Sequence, residues 1–219
     1  LAEFARTYID PNRHVGDVDL SMVDGDWPHT YVPSGKASIG KSLIWRTLDD
    51  GRPIYDRKLS VDEVHQRIQR YALPYQTQLQ KLIEEHHQTF GVCYHINCHS
   101  MNAVSGKMGE GGAGIARADV VLGDRDGTTC NAEFTHLVKD FMQSCGYAVK
   151  INDPFKGVEL VRAFSNPAEG KHSLQVELNK RLYTDATGRG KGAGYDKLAK
   201  DLQQLTALLA EFSKSKIKK

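Results

Sequence analysis

The sequence has no long apolar run, no paired-cysteine motif and no surplus of charge of either sign. None of its hydrophobic stretches approaches the roughly 18 residues that span a bilayer, so no membrane helix is expected. Lys plus Arg number 29 against 27 Asp plus Glu, a formal net charge of +2. That balance argues against nucleic acid or a membrane surface as partner, and no aromatic-basic patch speaks for either. The four cysteines, Cys93, Cys98, Cys130 and Cys145, show no C-x-x-C spacing. Cys93 and Cys98 fall on opposite faces of one extended stretch and cannot bridge each other. Scattered thiols of this kind fit a reducing cytoplasm, which is the expected location. A secretory signal and an internal repeat are both missing, and Ser34-Gly-Lys-Ala-Ser-Ile-Gly40 lacks the spacing of a phosphate loop. The first residue is Leu1 rather than Met and the chain enters structure at once, so further residues are expected upstream.

What is present is an ordinary globular mixture, 40% hydrophobic and 26% charged over 219 residues, enough for one domain covering 1–219. Arg6 to Asp10 reads as a strand stopped by Pro11. Residues 14–57 form a long Gly-, Asp- and Pro-rich insertion, which is usually functional or carries small elements of its own. Ser60-Val-Asp-Glu63 is a capping box, predicting a helix that breaks near Leu73, restarts at Pro74 and runs to about Gln88. Val64, Ile68, Tyr71, Leu79, Leu82 and Ile83 mark its inward face. Strands are predicted over Val92–Cys98, Ala118–Gly123, Tyr147–Ile151 and Ser173–Leu178. Helices are predicted over Ala132–Ser144 and Tyr195–Phe212, and a glycine-rich loop over 106–114. Strands alternating with helices imply an α/β fold with a largely parallel or mixed sheet.

The chemistry concentrates at strand ends. In Gly91-Val-Cys-Tyr-His-Ile-Asn-Cys-His-Ser100, an extended chain puts Cys93, His95, Asn97 and His99 on one face. Either His95 and His99 are satisfied core histidines, or His99 at the strand end is a metal or catalytic group. Glu177 alternates with Leu174, Val176 and Leu178, on the face shared by Ser173, Gln175 and Asn179. A carboxylate there needs a cation, a metal or a raised pKa, as a general base or as the buried partner of Arg6, Arg13 or Arg162. Arg13 offers the two-pronged donor that a carbonyl or carboxylate takes, or it makes a surface salt bridge. Asp124 and Asp126 either cap a turn or support the histidine. Lys156 and Arg162 suit an acidic substrate. The other histidines show no ligand spacing.

Several segments together resemble the N-formylglutamate amidohydrolase family. They are Arg6-Thr-Tyr-Ile-Asp-Pro-Asn-Arg13, His95-Ile-Asn-Cys-His-Ser-Met101, Val121-Leu-Gly-Asp-Arg-Asp-Gly-Thr-Thr129, Asn152-Asp-Pro-Phe-Lys-Gly157 and Leu174-Gln-Val-Glu-Leu-Asn-Lys-Arg-Leu-Tyr183. The resemblance spans nearly the whole chain in the family's order. It implies a relation to zinc carboxypeptidases and to the aspartoacylase and succinylglutamate desuccinylase group. The implied fold is a three-layer α/β/α arrangement with a mixed, mostly parallel sheet and one zinc ion. It implies His99 as a zinc ligand and Glu177 as base and proton shuttle. Asn12 and Arg13 match the Asp-x-Asn-Arg element, whose arginine faces the substrate carbonyl or carboxylate. Arg6, Lys156 and Arg162 are the further candidates for binding the substrate carboxylates.

The implied activity is zinc-dependent hydrolysis of N-formyl-L-glutamate to formate and L-glutamate, in histidine degradation. One departure stands out. The family's first zinc ligands lie in a Pro-His-Ser-Gly segment followed by an acidic residue, and nothing of that kind precedes Arg6. His14 and His29 follow the Asp-Pro-Asn-Arg element, in the wrong order. The remaining ligands are therefore expected upstream of Leu1, and this chain alone is expected to bind zinc weakly, lack activity and expose a sheet edge. Two alternatives stay open: a related metalloamidase acting on another N-acyl amino acid or small acidic peptide, and a non-catalytic anion-binding relative.

Overall fold

Ser60 caps a helix as its spacing to Glu63 predicts, its hydroxyl accepting the Glu63 N–H at 3.1 Å. The structure, a computed structural model, describes residues 2–109 and 112–217. Leu1, two residues of the glycine-rich stretch 106–114 and the end of the lysine tail lie outside the described residues. The chain divides into two compact units. One comprises Leu1–Lys81, Ser105–Gly114 and Val158–Leu160; the other comprises Leu82–Val104, Ile115–Gly157 and Val161–Lys219.

In the first unit, strand β1 (Val23–Asp24) pairs in parallel with β2 (Leu59–Ser60). Helix α1 (Val61–Arg67) follows, then a π-helical turn at Ile68–Ala72, then α2 (Leu73–Phe90). The expected break at Leu73 does not occur. Pro74 lacks an N–H and its ring crowds the carbonyl four residues back, and the wider π turn just before it absorbs that conflict. The same turn explains a second departure. One extra residue advances the helical phase by about 100°, so a face counted from Val64 is out of step beyond the turn. Ile83 is buried as expected, but Leu82 is 42% exposed.

The core of this unit is built from Ile9, Leu43, Leu59, Val64 and Ala72. Arg6–Asp10 is not the expected strand. The N–H groups of Tyr8 and Ile9 both turn back to the Ala5 carbonyl. The buried Asp10 carboxylate accepts from Arg6 Nε, Asn12 N and Trp45 Nε1, which curls the segment about itself. The 14–57 insertion does carry small elements, with 3-10 turns at Leu20–Met22 and Lys36–Ile39. Asp17 ties it together by accepting from both the N–H and the hydroxyl of Ser34.

The second unit is a four-stranded sheet of β3 (Cys93–Met101), β4 (Val120–Gly123), β5 (Val149–Ile151) and β6 (Lys171–Asn179), in the order β3-β6-β4-β5. β3 and β6 are parallel, β4 and β5 are parallel, and β4 opposes β6. The expected mixed α/β class with parallel-dominated pairing is what forms. β3 and β6 outrun their predicted ends, because polar residues continue the ladder where the apolar pattern stops. Helix α3 (Ala132–Ser144) begins and ends where predicted, capped by Asn131 Oδ1 accepting from Phe134 N at 2.9 Å. The short α4 (Glu159–Ala163) and the long α5 (Tyr195–Ser215) complete the elements. Phe134, Val138 and Met142 of α3 and Leu198, Leu205 and Leu209 of α5 form one core with Leu174, Val176, Val120 and Leu122 of the sheet.

No helix among the described residues is long and apolar enough to cross a membrane. Leu174 is fully buried at the centre of the second core. Leu174→Ala is expected to cost about 2–5 kcal/mol, read as a lowered midpoint in urea unfolding, whereas Leu82→Ala on the exposed side of α2 should cost well under that.

Candidate active site

Register brings the two leading candidates together. In the parallel β3–β6 ladder His99 pairs with Glu177, Asn97 with Gln175, His95 with Ser173 and Met101 with Asn179. Adjacent strands lie about 4.8 Å apart and paired residues point the same way, so His99 and Glu177 are side-by-side neighbours. Alternation sends Tyr94, Ile96, Leu174, Val176 and Leu178 into the core beside α3 and α5. The opposite face therefore carries His95, Asn97, His99, Ser173, Gln175 and Glu177. Glu177 is nearly buried and His99, at the strand end, is partly exposed.

The polar face is ordered by its own hydrogen bonds. His95 Nδ1 and Ser173 Oγ share one of 2.6 Å. Burial pushes the His95 imidazole down to about 4, so it is neutral at physiological pH. His95 thus matches the reading of a hydrogen-bonded structural histidine. Gln175, fully buried, donates from Nε2 to Glu177 Oε1 at 2.9 Å. Asn97 is 8% exposed, and its Nδ2 has no partner among the described residues. Asn179 closes the strand by donating to the Ala118 carbonyl and accepting from Arg181 N.

The loops after β4 and β5 sit elsewhere on the sheet. Because β4 runs against β6, Val121 lies beside Glu177 and Gly123 beside Gln175. The Asp124–Asp126 turn therefore starts beyond the Gln175 end of the sheet, while the Asn152–Gly157 loop folds back so that the Phe155 ring lies 5.3 Å from the Arg117 guanidinium. Asp124 is the turn cap of the two readings: its carboxylate accepts from Gly127 N, Asn152 Nδ2 and Thr135 Oγ1. Lys156 pairs with Asp126 at 2.8 Å, both exposed. A Cβ on Gly123 would stand 2.6 Å from Gly157 N, so only glycine lets the Phe155–Gly157 backbone lie against this strand. Arg162 lies exposed in the last turn of α4.

Arg6, Asn12 and Arg13 belong to the first unit. Arg13 is almost completely buried, donating from Nε to the Lys41 carbonyl and from Nη1 to the Asn12 carbonyl. Asn12 Oδ1 accepts the N–H of Leu160 at 2.9 Å, capping the start of α4. Arg6 reaches Asp10 at 2.9 Å. Sequence reasoning placed Gln175 and Asn97 on the right face but gave them no role. The available signal was the run of polar residues at every second position of β6.

Among the described residues no three His, Cys, Asp or Glu side chains gather as a metal site. A zinc site needs three protein ligands, and the described residues bring no such set together.

The comparison with known families decides where the chain belongs. The family model for N-formylglutamate amidohydrolase matches residues 1–184. The chain belongs to the N-formylglutamate amidohydrolase family. A crystal structure of N-formylglutamate amidohydrolase from Ralstonia eutropha JMP134 is 41% identical, with a TM-score of 0.89 over 98% of this chain and 76% of that one. The N-formylglutamate deformylase of Pseudomonas putida is 25% identical over 173 residues, 78% of this chain. That of Pseudomonas aeruginosa is 25% identical over 172 residues. This member of the family spans about three-fifths of those curated relatives, 61% and 60% of their lengths. A gene product of Agrobacterium tumefaciens, 15% identical with a TM-score of 0.55 over 93% of this chain, shares the fold.

The buried His95 has a consequence for stability. In the unfolded chain it titrates near its ordinary 6.5, against about 4 when folded. The unfolded state thus binds more protons below pH 6.5, and stability present above that value is lost as pH falls toward 4. His95→Gln is expected to flatten the pH dependence of urea unfolding between those values, by on the order of 2 kcal/mol at the acid end. His172, also lowered by burial, leaves a residual slope.

Proposed function

We propose that the protein hydrolyses the formyl amide of N-formyl-L-glutamate, giving formate and L-glutamate. The observation that carries this reading is the pairing of His99 with Glu177 on the polar face of a sheet whose family is N-formylglutamate amidohydrolase. Cytoplasmic location and a place in histidine degradation belong to the same proposal. So does a zinc ion with His99 as one ligand, the rest coming from outside the described residues. Arg13 is proposed as the group that takes a carbonyl or carboxylate, with Arg6, Asn12, Lys156 and Arg162 as further substrate contacts.

The chemistry assigned to this chain rests on Glu177. As a carboxylate it accepts a proton from water while the water oxygen attacks the formyl carbon. It then gives that proton to the departing nitrogen, which must be protonated before the C–N bond breaks. The formyl carbon leaves as formate and the nitrogen as the amine of glutamate. The surroundings of Glu177 suit this proton transfer, with a nearly buried position, an amide donor on one oxygen and a histidine alongside.

Glu177→Gln in the natural full-length protein should lower kcat about a thousandfold while bound metal is retained. Near-normal turnover refutes the base role. A panel of N-formyl, N-acetyl and N-succinyl amino acids separates the substrate classes. Preference for an acetyl or succinyl amide selects the related metalloamidase, and binding of acidic ligands without hydrolysis selects the non-catalytic relative. His99→Ala should lower the metal content per chain, measured by elemental analysis; an unchanged content removes His99 from the ligand set.

A further inference from the structure

Gln175 is a costly residue for its position. It is 1% exposed in the middle of β6, and a buried amide must be bonded or it penalises folding. Its neighbours offer little reason to keep it for packing. On one side stands Asn97, itself nearly buried with Nδ2 unpartnered, and on the other stands Gly123, which has no side chain. The Phe155–Gly157 backbone lies against that glycine, closing the space around the strand. What the Gln175 amide does is donate from Nε2 to Glu177 Oε1, two residues along the same strand.

We propose that Gln175 is a positioning residue that fixes the rotation of the Glu177 carboxylate, deepening the functional reading above and resting on it. A glutamate side chain has three rotatable bonds, and ordering them costs conformational entropy. A bond to one carboxylate oxygen from an amide locked in a closed setting selects one rotamer before substrate arrives. It also sets the plane of the carboxylate. The strand supplies the geometry: residues i and i+2 share a face and lie about 6.5–7 Å apart along it, within the reach of a Gln and a Glu side chain leaning together. Gln175 acts only through Glu177. It touches neither water nor substrate in this scheme.

The test is a double-mutant cycle in the natural full-length protein. Gln175→Met keeps length and volume but removes the donor. It is expected to lower kcat on the order of 10- to 100-fold, the scale set by misplacing a reacting group by about 1 Å, with KM changed less than about twofold. In a Glu177→Gln background the same substitution should cause no further loss, because the group it orients no longer transfers a proton. An equal loss in both backgrounds, or no loss in the first, overturns the proposal. Should Gln175→Met fail to fold, Gln175→Leu carries the same cycle, filling most of the same volume with no donor and no added charge. A crystal structure of the variant reads orientation without activity. Glu177 is expected in a shifted or divided rotamer; one rotamer superposing on that of the unaltered protein refutes the proposal. If the unaltered protein hydrolyses no N-acyl amino acid, the functional reading fails, and the rotamer still decides the role of Gln175.

Discussion

The structure depends on the parallel register between β3 and β6. Nine residue pairs align without a bulge, from Cys93 with Lys171 to Met101 with Asn179. A slip of one residue in either strand would turn its polar set into the core and its apolar set outward. The core forbids that slip. Leu174 and Val176 are seated against α3 and α5, and Tyr94 stacks between Phe134 and His172 at ring distances of 4.6 and 4.8 Å. Hydrophobic packing on one face thereby dictates, across the thickness of a single strand, which imidazole stands next to which carboxylate on the other.

That second face is stabilised differently. A sheet surface bearing two histidines, two amides, a serine and a glutamate gains little from apolar burial, so its order must come from directed bonds. His95 with Ser173 and Gln175 with Glu177 supply them. The imidazole that lies deeper stays uncharged because burial penalises its cation. The one beyond it, His99, sits where the strand leaves the core and solvent begins.

Much of this was legible in the chain. The alternation in His95–His99 and in Ser173–Asn179 gave the correct faces, and the predicted limits of α3 at Ala132 and Ser144 are those observed. Failures trace to interactions that no local pattern encodes. Arg6–Asp10 has a strand's composition, yet the buried Asp10 carboxylate draws three donors from Arg6, Asn12 and Trp45, the last 35 positions away. The phase of α2 was lost at a π turn, which no 3.6-residue count can anticipate. Direction was illegible as well: nothing in Val120–Gly123 announces that β4 opposes β6 while β5 follows β4. The Asp124 turn consequently starts from the opposite end of the sheet to His99.

The opposed direction of β4 gives the sheet two separate ends of unlike character. One presents His99 and Glu177 where β3 and β6 finish. The other presents the Asp124 turn, bolted to Asn152 and Thr135, where β4 and β5 finish. Between them runs the glycine seam at Gly123, across which no side chain can be added. Any side chain at Gly123 would lift the Phe155–Gly157 backbone off the strand, so the seam itself must remain bare.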